Sequence, residues 1–121
     1  MAGERQNYIT TLSMGTITGV SGLHEYLKEG KKGKWLDTFD IVAVQLGIKE
    51  GDADFPPWPS LEKIFSYKPN RERIKGYVQK ALEVTEKVKR NEAPYEEVKE
   101  VVKEGEDIIK FLEDFKREEL F

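Results

Sequence analysis

His24 is the only histidine in the chain, and cysteine is absent. No thiolate nucleophile, disulfide or zinc–cysteine site can therefore be built, and a multi-histidine metal site lacks its ligands. The spacing puts His24 at the edge of an apolar helical face, one turn from Val20 and Leu27. A lone histidine there is ordinarily packed or solvated. Asp37 and Asp40 stand three residues apart, in reach of one another on a helix. They could hold a cation only with ligands brought from elsewhere. His24, Asp37 and Asp40 together define one enzyme or small-ligand reading, a polar site between the first two helices.

Glu50, Asp52 and Asp54 alternate as calcium ligands do. A calcium loop needs glycine at its sixth position and glutamate at its twelfth. Counting from Glu50, those places hold Phe55 and Leu61, so the segment reads as a solvated acidic loop. Gly15, Gly19 and Gly22 lack the spacing and the strand–turn–helix context of a dinucleotide fingerprint. The sequence thus assigns no catalytic residue, no metal ligand and no cofactor.

Other residues have the types that make contacts. Gly15, Gly19 and Gly22 would let another backbone come close, in the core or against a second copy. Phe55-Pro56-Pro57-Trp58-Pro59 either covers the core or presents an aromatic anchor, and tryptophan is enriched among binding hot spots. Leu120 and Phe121 follow an acidic stretch and could dock back or reach another subunit. Gly15, Gly19, Gly22, Phe55, Trp58 and Phe121 are therefore the candidate partner contacts. They point to a non-catalytic interaction or assembly module, an accessory subunit that binds a protein partner or itself. The alternative is a nucleic-acid-associated module whose Lys63, Lys68, Arg71, Arg73 and Lys75 hold phosphates. Only Tyr67 and Tyr77 accompany that cluster as possible base-stacking rings, and Tyr77 belongs to an apolar stripe.

The elements that must position these residues are helices. Over residues 8–29, Ile9, Leu12, Val20, Leu23 and Leu27 share one face at the helical period. Thr, Ile and Tyr in the first part would also suit a strand, but no second strand is evident to pair with it. Residues 34–47 carry Trp35, Phe39, Val42 and Leu46 at helical spacing, with Ile41 and Val44 widening the surface enough to predict a nearly surrounded helix. Gly47 is placed to end it. Three prolines make residues 48–59 a loop. Short helix 60–67 and long helices 70–90 and 94–117 follow, with Gly105 on the apolar face of the last. The expected fold is one all-α domain of four to five helices, closed by a C-terminal antiparallel hairpin. Residues 1–7 are polar and expected to fray.

The 121 residues suit a single core. Charged residues are 36% of the chain, with a net charge of −3, which argues against a general polyanion binder. Residues 63–90 sum to +6 and residues 91–121 to −6, so the hairpin helices are expected to pair by charge. Scarce Asn, Gln and Met beside abundant Glu and Lys is the composition expected of heat adaptation. No secretory leader and no membrane-length apolar run is evident, so the expected location is the cytoplasm.

Overall fold

The computed structural model describes residues 2–51 and 61–119, with side chains from Tyr8 to Arg117 within those spans. It is an all-α bundle, with no strand among the described residues. Among the described residues five α-helices run α1 (Ala2–Glu29), α2 (Thr38–Gln45), α3 (Leu61–Ile64), α4 (Lys68–Lys89) and α5 (Tyr95–Glu119), and a 3-10 turn, Lys34–Asp37, leads into α2. Among the described residues no helix is long and apolar enough to cross a membrane.

The Thr-rich start is helix, and the helix begins at Ala2 rather than near residue 8. Ala2, Glu4, Arg5 and Gln6 are good helix formers, which outweighs their polarity. Farther along, the Thr16 and Thr18 hydroxyls donate to the Leu12 and Met14 carbonyls, each at 2.9 Å. Threonine thereby satisfies its own hydroxyl inside the helix instead of competing with it.

Two helix ends follow the same stereochemical rule. After α2, Gly47 takes φ +74°, and the amides of Gly47 and Ile48 return to the Val44 and Ala43 carbonyls. After α4, Asn91 takes φ +60°, and the amides of Asn91 and Glu92 return to Val88 and Lys87. Both are Schellman closures, which need a left-handed residue and favour Gly or Asn there.

The middle of the core is a stack through four helices. Phe39 of α2 lies against Gly19 of α1 and meets Tyr77 of α4 edge-on, with centroids 5.9 Å apart at 80°. Tyr77 donates its hydroxyl to the Val101 carbonyl at 3.3 Å. Its ring end and Val20 both close on Gly105 of α5. Phe65, just past α3, packs against Phe115 at 5.0 Å and ties that short helix to the far end of α5.

α5 lies between α1 and α4, and its more extensive interface is with α1, not with its sequence neighbour. On α1 the contacts pair Ser13 with Glu113, Val20 with Gly105 and His24 with Glu106. On α4 they pair Arg73 with Phe111, Lys80 with Glu104 and Lys87 with Glu97. Along α4 the α5 partners fall steadily as the α4 numbers rise, and along α1 they fall from Glu113 opposite Ser13 to Gly105 and Glu106 opposite Val20 and His24. Small residues explain the preference: Ser13 and Gly105 let the axes of α1 and α5 approach, whereas long Lys and Glu side chains line the α4 edge.

The charge pattern is therefore answered by three elements rather than one. Lys80–Glu104 at 3.6 Å and Lys87–Glu97 at 2.8 Å do join α4 to α5. The hydrogen bond that Lys87 donates to the Glu97 carboxylate holds Lys87 above the usual lysine range. But Lys89 of α4 turns to Asp37, and Glu86 receives Lys49 at 3.8 Å. α2 is also less enclosed than its pattern predicted. Ile41 and Trp35 are about half exposed: among the described residues α1 and α4 are the main helices packed on this eight-residue helix, and Trp35 lies in the 3-10 turn before it.

Candidate interaction surfaces

The polar residues with enzyme-like promise are not brought together. Asp37 pairs with Lys89, and Asp40 pairs with Lys49. His24 faces α5, with its Nε2 3.5 Å from Glu106 Oε1. Among the described residues no group of three or more acidic or histidine side chains is placed to hold a metal.

The glycine shoulder is filled from within. A β-carbon at Gly15 would meet Val42, one at Gly19 would enter the Phe39 ring, and one at Gly22 would strike Trp35 Cβ at 2.9 Å. These three glycines seat α2 and its 3-10 turn, so their surface is occupied by the chain itself. Phe55, Trp58 and Phe121 lie outside the described residues.

The basic cluster divides around α4. Arg71 turns to Glu62 at 3.7 Å and Glu72 at 3.9 Å, beside the end of α2. Arg73, two residues on and so on the other side of the helix, lays its guanidinium over Phe111 at 5.0 Å. Lys63, Lys68 and Lys75 are exposed. A phosphate-binding site needs cations that converge, and the two arginines diverge.

Two surfaces emerge instead. The first is the outward face of α1. No charged residue and no histidine occurs from Tyr8 to Leu23, sixteen residues in a chain that is 36% charged. Its buried side faces α2 and α5, and its open side shows Thr11, Met14, Ile17 and Ser21, with Thr10 and Thr18 half buried at the margins. Met14 is 63% exposed and Ile17 is 41% exposed. Trp35, against Gly22, borders this face on the α2 side, with Lys34 Nζ 4.8 Å above its ring. Periodicity missed this face because it shows only which side of a helix is apolar enough to be buried. The signal was the missing charge on the other side.

The second is a groove between the last turns of α1 and the first turns of α5, with a volume of about 480 Å³. Leu27 and Val102 line its apolar part, and Tyr95 stands at its edge, 59% exposed. Lys28, Lys99 and Lys103 surround it, with His24 and Glu106 at one end. Beyond Leu27 and Tyr95 it continues into a smaller hollow reaching Lys32 and Asn91.

No family model, curated protein or solved structure matches this chain.

Proposed function

We propose that the chain is a non-catalytic interaction and assembly module, an accessory subunit that pairs with a second copy of itself through the outward face of α1. The observation that carries this reading is the uncharged run Tyr8–Leu23, which leaves Met14 and Ile17 in solvent. Exposed apolar side chains clustered without charge are the composition of an interface centre rather than of ordinary surface. A second copy fits because a neutral face meets its own image without repulsion.

Interior positions such as Ser13 and Thr16 are already committed to the bundle, so pairing requires no refolding.

Sedimentation velocity on the full chain across micromolar to millimolar concentration tests the reading. The expected result is a concentration-dependent dimer that Met14→Glu and Ile17→Glu each weaken at least tenfold. Both variants place charge on an exposed position, so their melting temperatures are expected to stay near that of the parent. A chain that stays monomeric throughout, or a dimer indifferent to both substitutions, would sink it.

A further inference from the structure

We infer that the α1–α5 groove is a docking site for an acidic amphipathic helix of a partner protein. The groove lies on a different part of α1 from the uncharged face and does not depend on self-pairing. Leu27 and Val102 provide an apolar floor, and the exposed Tyr95 lines one end. Lys28 stands on the α1 rim, while Lys99 and Lys103 stand one turn apart on the α5 rim. Among the described residues no carboxylate lies within ion-pair distance of these three lysines, and the Glu106 carboxylate is turned to His24 at 3.5 Å.

That arrangement runs against the composition around it. Residues 91–121 sum to −6, yet the edge of α5 that borders α1 carries Lys99 and Lys103. Like charges one turn apart on a helix oppose each other, and Lys28 adds a third from across the groove. An anionic partner would relieve that opposition, so the charge of the rim specifies the charge of the occupant.

The shape specifies the rest. The groove follows α5 from Tyr95 to Glu106, a rise of about 17 Å, or three turns. It is bounded by two helices and open along its length. A third helix lying between them would place apolar residues at successive turns on Leu27, Val102 and Tyr95, and glutamates on its flanks against the lysines. The chain's own acidic C-terminal residues cannot serve in cis. With α5 helical to Glu119, its end lies about 20 Å beyond Glu106, on the far side from the groove.

The probe is a fluorescein-labelled synthetic peptide of about fifteen residues, with leucines along one helical face and glutamates on both flanks. A twin carrying lysine for each glutamate is the control. Fluorescence anisotropy on the full chain at about 50 mM salt is expected to show saturable binding of the acidic peptide alone, weakened at about 300 mM salt. The Lys28→Glu/Lys99→Glu/Lys103→Glu variant should lose at least tenfold for the acidic peptide and gain binding of the basic twin. Leu27→Asp, which acts on the floor rather than the rim, should abolish binding of the acidic peptide, with circular dichroism showing the helices retained. Met14→Glu should leave peptide binding unchanged, which separates this site from the self-pairing face. No binding, equal binding of both peptides, or indifference to the triple substitution overturns the inference. So does a self-association that the triple substitution abolishes and Met14→Glu spares, because the occupant is then a second copy.

Discussion

Gly105→Ala and Gly19→Ala are each expected to lower stability by about 2 kcal/mol or more, although alanine is the better helix former by about 1 kcal/mol. A β-carbon on Gly19 would lie 2.5 Å from the Phe39 ring, which is fully buried and cannot swing away. A β-carbon on Gly105 would fall far inside contact distance of Tyr77 Oη and Val20 Cγ2. Relief would require α1 to move off α5 or Tyr77 to leave its hydrogen bond with Val101. Both glycines act on the same Phe39–Tyr77 contact, so the double substitution should cost less than the sum of the two. Gly76 is the internal control. It lies in α4 with open space where its β-carbon would be, so Gly76→Ala should stabilise by about 0.5–1 kcal/mol. Urea denaturation of the three single variants and the Gly19→Ala/Gly105→Ala double variant reads all of this. If Gly19→Ala and Gly105→Ala track Gly76→Ala upward, the packing account of the core is wrong.

Alkaline pH should expose the same tyrosine. Burial, and then the nearby Glu104 carboxylate, push the Tyr77 hydroxyl well above its ordinary value of 10.0. The unfolded chain releases that proton near pH 10, whereas the folded chain retains it. The contribution of Tyr77 is therefore intact below about pH 10 and declines above it, by up to about 1.4 kcal/mol per pH unit. Tyr77→Phe removes this dependence. At neutral pH it gives up the hydrogen bond to Val101, a loss of about 1 kcal/mol. The stability difference between parent and Tyr77→Phe should therefore shrink and then reverse between about pH 9 and pH 11. Urea midpoints across that range decide the matter. Parallel decline of both proteins would show that lysines and the other tyrosines, not Tyr77, set the alkaline limit.

Much of the fold was legible because helical periodicity is a local property. Ile74, Tyr77, Val78, Ala81, Thr85 and Val88 recur on one face of α4, and all are buried. Gly47 ends α2 with positive φ, as a glycine after the last apolar position should. The all-α class followed from such stripes and from the lack of a partner for any strand. Helical extent was less legible where polar residues with good propensity continued beyond the stripe, as they do before Tyr8.

Partner choice among helices was not local, and there charge was a poor guide. The +6 and −6 halves pointed to α4 against α5, but α5 makes its larger interface with α1. Exposed ion pairs contribute little, whereas close approach of small residues buries apolar area. The three glycines of α1 were recognised as a place where another backbone could come close. Only the tertiary structure decided that Trp35, Phe39 and Val42 take that place, and so turn the opposite side of the helix to solvent. The groove has the same origin. Lys28 and Lys103 are 75 positions apart in a sequence whose local charge around Lys103 is acidic. The sequence determined that this protein is helical and lacks the cysteines and multiple histidines of common metal and redox sites. The tertiary structure decided which of its uncharged and basic residues share a surface, because that depends on packing between helices far apart in the chain.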